Sequence, residues 1–211
     1  MTTAYQFAEV VTSEEALRDL IGLPIDRALA KVTHEIDEIC RSFIAHSPFL
    51  LIASADAQGN MDISPKGDPP GFVHVLDDST LLIPDRPGNR RADTFTNVLQ
   101  NPKVALFFLV PGRRETLRVT GSAVIVRDGV LRQRSALNGK VPTLMLAVRV
   151  EDAFFHCAKC IIRSGLWQES DWPAIGAPPS YAEALVKHAK LPFGVEDMQA
   201  ILDESYEKGL Y

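Results

Sequence analysis

The sequence predicts a mainly β protein with peripheral helices, built around a six-stranded antiparallel β-barrel. Short segments of strand length, rich in apolar residues, recur through the middle of the 211-residue chain. Most of them are joined by turn residues such as Asp, Asn, Gly and Pro, which is typical of hairpins. Few helical segments lie between them, whereas a parallel sheet needs a crossover helix between successive strands.

The first 46 residues have a helical pattern. Thr12 and Glu15 have the spacing of a capping box before a short helix, which Gly22 and Pro24 then end. A second helix is predicted over residues 34–46, where apolar residues recur at helical spacing. These residues are Ile36, Ile39, Cys40, Phe43 and Ile44.

The strand pattern begins after Pro48. Seven apolar or alternating segments are predicted to form strands, at residues 49–54, 61–64, 72–76, 81–84, 104–110, 116–126 and 144–155, from which we expect a barrel of roughly six strands. The nearly continuous apolar segment 104–110 predicts a strand buried on both faces. A short helix is predicted over residues 89–100, with three apolar residues facing inward, namely Phe95, Val98 and Leu99.

Proline marks a change of character near the C-terminal end. Pro173, Pro178 and Pro179 predict an extended linker, and two short amphipathic helices follow, at about 181–190 and 195–208. The predicted organisation is an N-terminal helical arm (1–46), a barrel domain (47–167), and a C-terminal linker with a helical clasp (168–211).

The formal net charge of −5 conceals an asymmetry. Residues 1–40 and residues 168–211 each carry three basic and eight acidic groups, whereas residues 86–134 carry ten basic and three acidic groups. An acidic protein repels a polyanion at long range, so we expect no nucleic-acid partner. A small anion such as phosphate fits the basic segment, although a solvated charged face would give the same pattern.

Composition also excludes several protein classes. No apolar run approaches 18 residues, and the N-terminus lacks the pattern of a secretory signal. Three cysteines, an odd number, do not make a disulfide framework. We therefore expect a cytoplasmic protein with no membrane partner.

Most familiar chemical motifs are absent: there is no G-x-S-x-G, P-loop or G-x-G-x-x-G. His34 and Glu38 share a helix face, but two ligands do not make a metal site, so no metal is expected. His156, Cys157 and Cys160 form H-C-x-x-C without a second ligand pair. This motif is either a redox dithiol or two small, half-buried residues at a strand-to-helix junction.

Basic and polar residues that suit an anion occur in three segments, at residues 63–67, 83–91 and 115–121. In the second segment, Asn89 is predicted to cap a helix, which places Arg90 and Arg91 in the first turn. Two cations are unfavourable at the positive end of a helix dipole unless a phosphate lies between them. Lys66 could supply a third positive charge. The alternative, which the sequence supports equally well, is that Arg90 and Arg91 are solvated surface residues.

The order of these features resembles the pyridoxamine 5′-phosphate oxidase-like, FMN-binding split barrels. The matching features are Lys66 at a strand end, Arg90-Arg91 between a strand and a helix, Asn101-Pro102 before an apolar strand, and T-L-R-V-T-G at 116–121. The resemblance covers about residues 35–167 and implies a split barrel that forms a homodimer, with FMN bound at the subunit interface.

The resemblance also implies which residues contact FMN. They are Lys66, Arg90 and Arg91 for the phosphate; Ile63, Ser64, Ile83, Pro84, Thr116 and Arg118 around the flavin; and His156, Lys159, Arg163 and Trp167 reaching it from the partner subunit. Thr116 stands where the oxidases have a flavin-contacting Gln, and their C-terminal Arg-x-His is not evident. Oxidation of pyridoxamine phosphate is therefore not implied.

The implied function is that of an FMN-dependent oxidoreductase acting on an unidentified small molecule, with an electron donor such as NAD(P)H. Arg118, Lys159 or Arg163 would stabilise the anionic reduced flavin, and no catalytic acid, base or nucleophile is implied. The alternative is a non-enzymatic module on the same barrel that binds flavin, deazaflavin or haem, with His156 as the candidate haem ligand.

Overall fold

The computed structural model describes residues 7–174 and 176–211. The first six residues of the predicted arm and one residue of the predicted linker lie outside the described residues. The chain forms two compact units, Met1–Val32 and Thr33–Tyr211. The second unit contains every strand of the sheet described below.

The described part of the first unit contains two short helices, α1 (Glu14–Ile21) and α2 (Asp26–Ala30). Ser13 caps α1, because its side-chain oxygen accepts the Ala16 N–H at 3.1 Å. The cap predicted at Thr12 is therefore wrong by one residue, since Ser13 has the extended backbone that a cap requires.

The second unit is an antiparallel sheet with helices at its periphery. Its strands are β1 (Phe49–Ala55), β2 (Met61–Gly67), β3 (His74–Asp77), β4 (Thr80–Pro84), β5 (Lys103–Leu109), β6 (Thr116–Val126) and β7 (Met145–His156). Its helices are α3 (Glu38–His46), α4 (Asp93–Gln100), α5 (Gly129–Arg134), α6 (Lys159–Ser164), α7 (Tyr181–Ala189) and α8 (Val195–Lys208).

The mainly β, antiparallel fold class is confirmed, but the strand count is not. The seven strands lie in one sheet in the order β2-β1-β5-β6-β7-β4-β3, and each pairing is antiparallel. Each of the seven predicted segments forms a strand of its own. Within the described residues, β2 and β3 end this order and do not pair with each other, so a closed six-stranded barrel is not confirmed.

The core is made by alternate residues of the strands. Leu106 and Phe108 of β5 are fully buried, whereas Phe107 between them is only half-buried. The prediction that this strand is buried on both faces is therefore wrong for the described chain. The apolar residues on its second face form part of a separate, half-exposed surface described below.

Two apolar residues of the predicted helical patterns point to solvent. Ile39 on α3 is 68% exposed, while Cys40 and Ile44 are buried. Leu99 on α4 is 78% exposed, whereas the neighbouring Val98, also predicted to face inward, is buried; the helix begins at Asp93 rather than at residue 89. The buried set is Thr94, Asn97 and Val98. Asn97 is satisfied there by donating from Nδ2 to Ser54 Oγ at 3.1 Å.

The two helices predicted near the C-terminal end are confirmed as α7 and α8. Ser180 and Glu183 form a capping box at the start of α7. Ala182 of α7 and Met198 of α8 are the buried side chains of this pair. Across the described ranges, no helix combines the length and apolar composition needed to cross a membrane.

Strands β6 and β7 form the longest ladder, with 11 and 12 residues. The pairing shifts between Thr120 and Gly121, where Glu151 is the extra residue of a β-bulge. A Cβ atom at Gly121 would overlap the carbonyl oxygen of Arg149 on the neighbouring strand. Glycine is therefore required here by the close approach of the two backbones.

We expect Gly121→Ala to lower the free energy of unfolding by about 1–3 kcal/mol, because the added methyl group forces the β6–β7 backbones apart. Denaturant unfolding would measure the change. Gly129→Ala is the matched control, since nothing lies within 4 Å of a Cβ placed at the first residue of α5. Equal stability of the Gly121 variant and the wild type would contradict the close approach.

Candidate functional site

A cleft of about 650 Å³ opens between strand β2, the loop 85–92 and the segment 140–144. Five cationic side chains line it: Lys66, Arg86, Arg90, Arg91 and Lys140. Three carboxylates also line it: Asp62, Asp85 and Asp93. The excess of positive charge makes this cleft, which we call the cation cleft, suitable for an anion.

Arg90 differs from the neighbouring cations in having no partner among the residues that the structure describes. Lys66 Nζ lies 3.6 Å from Asp85 Oδ1, and Arg91 Nε donates to Asp93 Oδ2 at 2.7 Å. Within the described ranges, the exposed guanidinium of Arg90 makes neither an ion pair nor a hydrogen bond. Arg90 can therefore accept an anion without first giving up a carboxylate.

The loop that carries these arginines has an unusual backbone. Arg90 has φ 62° and Ala92 has φ 58°, a conformation that is rare and strained for residues other than glycine. The side chain of Asn89 accepts the N–H of Arg91 at 3.0 Å instead of capping α4. The predicted cap at Asn89 is therefore wrong, and both arginines precede the helix rather than lying in its first turn.

The cleft extends around strand β2, which ends the sheet on this side. Ser64 and Lys66 pair with the buried residues Ile52 and Leu50, which places their side chains on the face beside α4. Lys66 Nζ lies 6.0 Å from the ring centre of Phe95 on that helix. Ile63 points to the opposite face and is 63% exposed, although it also lines the cleft.

The second face of the sheet carries a row of paired residues that we call the outer row. It runs across five strands through Pro65, Leu51, Phe107, Arg118 and Phe154. None of the five is buried, and the Arg118 guanidinium lies 4.8 Å from the ring centre of Phe154. The outer row is an apolar surface with one cation above it.

His156 lies beside the outer row. Its ring centre is 5.7 Å from that of Phe107 and 5.0 Å from that of Phe154. The sheet register therefore places Ile63, Arg118 and His156 on one face, although they are far apart in sequence. It does not bring Arg118 or His156 into the lining of the cleft.

Thr116 begins β6 opposite His156 and is 1% exposed. Among the described residues, its Oγ1 is a buried side-chain atom with no hydrogen-bond partner. An unsatisfied buried hydroxyl costs stability, and such a group calls for an explanation. Thr116 is not in the lining of the cleft around Lys66.

The remaining predicted residues lie at the edge of the cleft or away from it. Ile83 and Pro84 are buried at the end of β4, pair with β7 and do not line the cleft. Lys159 and Arg163 are exposed on α6. Trp167 is held by a 2.6 Å hydrogen bond from Nε1 to the Arg113 carbonyl. These last three side chains do not line the cleft.

The cysteine motif is exposed rather than half-buried. Cys157 and Cys160 are free thiols at the start of α6, and Cys160 Sγ lies 4.0 Å from the Cys157 carbonyl oxygen. Burial raises the pKa of the third thiol, Cys40, to about 12. Over the described ranges, His, Cys, Asp and Glu side chains do not form a group of three or more suited to a metal ion.

A second depression of about 660 Å³ lies between α3 and the ends of β5 and β7. Its walls include Phe43, Val110 and Phe155. Its charged residues are Glu38, Glu115 and Arg113. This depression therefore lacks the excess of cations found in the first cleft.

Arg86, Lys140 and Tyr211 line the cation cleft but were not predicted as site residues from the sequence, and neither was Asp68, which contacts Arg86 and Tyr211. Arg86 lies in the basic segment and directly precedes Pro87-Gly88, which was the available signal. Tyr211 contacts Asp68 across 143 positions of sequence, and no local pattern indicates such a contact.

We expect Thr116→Val to raise the free energy of unfolding by about 1 kcal/mol, because valine keeps the shape of threonine and removes the unsatisfied hydroxyl. Thermal or denaturant unfolding would measure it. Thr94→Val is the matched control: its buried hydroxyl donates to Asp62 at 3.3 Å, so its loss should lower stability. Similar destabilisation of both variants would show that Thr116 has a partner.

Several solved structures of other proteins are similar to part of this chain. HupZ of Group A Streptococcus is 22% identical over 57% of this chain and 93% of its own, with a TM-score of 0.47. An FMN-binding protein from Syntrophomonas wolfei subsp. wolfei is 15% identical over 56% and 83%, with a TM-score of 0.45. General Stress Protein 26 from Bacillus anthracis str. Sterne is 14% identical over 55% and 88%, with a TM-score of 0.43.

At this level of identity and overlap, these three likenesses carry no functional information. A search of curated proteins found no match. The family model described as pyridoxamine 5′-phosphate oxidase matches residues 36–157, which is more than half of the chain and includes all seven strands. The chain therefore belongs to the pyridoxamine 5′-phosphate oxidase family.

Proposed function

We propose that this protein binds FMN and uses it as an oxidoreductase, with the flavin phosphate in the cation cleft. The observation that carries the proposal is the unpaired Arg90 beside Arg91 and Lys66. A phosphate offers several acceptor oxygens, and guanidinium groups donate to such oxygens in pairs. The cleft volume of about 650 Å³ lies in the range typical of cofactor sites.

The donor set fits a phosphate, although it is partly occupied by carboxylates. Arg91 must loosen its 2.7 Å contact with Asp93, whereas the 3.6 Å pair between Lys66 and Asp85 is already long. Arg90 needs no such exchange. We infer that Arg90 makes the first contact with the phosphate and that Lys66 and Arg91 follow.

The surface available to the flavin ring continues from the cleft around β2. Ser64 and Ile63 lie on the two faces of this strand, so a ligand bound by Lys66 can extend past Ile63 towards the outer row. Leu51 and Phe107 there are half-exposed and apolar. An apolar surface of this kind favours a planar ring over water.

A second copy of the chain completes the site in this proposal. The half-exposed outer row is the kind of surface that an interface buries. His156, Lys159, Arg163 and Trp167 do not line the cleft of their own chain, and in a homodimer they would approach the flavin of the partner. The buried hydroxyl of Thr116 would then hydrogen-bond to a polar edge of the ring.

When bound, FMN supplies hydride or electron transfer. The chain's own residues bind the phosphate, exclude water with the apolar side chains of the outer row, and place cations such as Arg118 where negative charge develops. The small-molecule substrate and an electron donor such as NAD(P)H complete the proposed reaction. Haem and deazaflavin are the competing ligands, and the absorption spectrum of the purified protein separates them from FMN.

We expect Arg90→Ala to weaken FMN binding by about 10–100-fold, because one charge-assisted contact to the phosphate is lost. Titration of the cofactor-free protein, followed by flavin fluorescence, measures Kd. Riboflavin, which lacks the phosphate, should bind the variant and the wild type equally. Arg127→Ala is the control, since it removes the same charge from an exposed position outside the cleft.

Two results would overturn the proposal. Failure of the wild type to bind FMN at micromolar concentration would exclude the flavin, and a Soret band on haem addition would identify the alternative ligand. Equal affinity of the wild type for riboflavin and FMN would exclude the phosphate from the cation cleft. If FMN binds, anaerobic bleaching of its absorption by NAD(P)H would establish the electron donor.

A further inference from the structure

Tyr211 lies on the wall of the cation cleft and makes three contacts there. Its hydroxyl donates to Asp68 Oδ1 at 3.1 Å, and its carbonyl oxygen accepts from Lys140 Nζ at 2.8 Å. Its ring centre lies 5.9 Å from the Arg86 guanidinium. Gly209 and Leu210 before it are exposed, whereas Tyr211 is half-buried. Tyr211 therefore holds the segment after α8 to the cleft through its side chain and its main-chain oxygen.

The partner of Tyr211 belongs to a nearly buried ion pair. The Asp68 side chain is 1% exposed, and its second oxygen, Oδ2, accepts from Arg86 Nε at 2.5 Å. Tyr211 thus satisfies the carboxylate oxygen that Arg86 does not reach. A buried carboxylate with an unsatisfied oxygen is unfavourable, so the hydroxyl supports the geometry of the Asp68–Arg86 pair.

The phenol of Tyr211 keeps its proton at neutral pH. Desolvation raises its pKa, and the hydrogen bond to Asp68 raises it further, while Arg86 acts in the opposite direction. The hydroxyl therefore remains a donor to Asp68 across the physiological range.

The contacts of Tyr211 reach two walls of the cleft. Arg86 stands at the start of the loop 85–92, which carries Arg90 and Arg91 in a backbone with two left-handed residues. Lys140 precedes the segment that forms the facing wall. One residue that fixes both walls would limit the freedom of the loop before any ligand arrives.

We propose that Tyr211 is a positioning residue of the cation cleft, which holds Arg86 and Lys140 so that Arg90 and Arg91 are preorganised for a phosphate. This inference rests on the proposed function for the identity of the ligand. It adds Asp68, Arg86, Lys140 and Tyr211 to the site, none of which the family resemblance implied.

The test compares Tyr211→Ala, Tyr211→Phe and Leu210→Ala by titration with FMN and with riboflavin. We expect Tyr211→Ala to weaken FMN binding about tenfold, through the loss of one hydrogen bond to a charged group, and to leave riboflavin binding unchanged. Tyr211→Phe keeps the ring over Arg86 and should fall between Tyr211→Ala and the wild type. Leu210→Ala, at a residue 60% exposed, should bind like the wild type.

The ratio of FMN to riboflavin affinity separates positioning from general support of the fold. Equal losses for both ligands in Tyr211→Ala, or no loss for FMN, would overturn the inference. Circular dichroism of each variant shows whether it folds. If Tyr211→Ala does not fold, the comparison of Tyr211→Phe with the wild type still tests the inference.

Amide hydrogen exchange of the loop 85–92 in the cofactor-free protein makes the test independent of the ligand. We expect faster exchange in Tyr211→Ala than in Leu210→Ala, because the loop has lost its attachment. If the wild type does not bind FMN, the proposed function fails, and this exchange still decides whether Tyr211 positions the loop. Unchanged exchange would overturn the positioning role.

Discussion

The β6–β7 ladder is the constraint on which the rest of the structure depends. It joins β5, β1 and β2 on one side to β4 and β3 on the other, and the bulge at Gly121 sets how the two halves bend. The cation cleft lies between β2 and the loop after β4, which belong to different halves. The Lys66–Asp85 and Arg86–Asp68 pairs bridge those halves, so the cleft depends on the ladder that holds both halves in one sheet.

The cleft carries more cations than carboxylates, and an anion can reorganise its ion pairs. Four of its cations already have an oxygen partner, whereas Arg90 has none among the described residues. This unpaired cation gives the binding proposal a physical basis beyond family membership. The nearly buried Arg86–Asp68 pair shapes the wall, whereas the side chains of Arg90 and Arg91 are exposed to a ligand.

The sequence predicted the elements better than the direction of their side chains. The strands, α7 and α8 follow from periodicity and turn residues, because these patterns are local. The outward directions of Ile39 and Leu99 depend on which face each helix packs against the sheet, and Arg90 and Arg91 lie before α4 because Asn89 bonds the Arg91 amide instead. Single-residue competition between caps and turns decides such boundaries, and the periodic pattern does not resolve it.

By itself, the sequence determined the antiparallel β class, the basic middle segment and the family resemblance, since composition, alternation and motif order are properties of the chain alone. Tertiary structure decided which of the predicted residues meet. It placed Lys66, Arg90 and Arg91 in one cleft, put Arg118 and His156 on the other face, and brought Tyr211 to Asp68. The reason is register: strand pairing and sheet curvature join residues distant in sequence, and local patterns do not encode those distances.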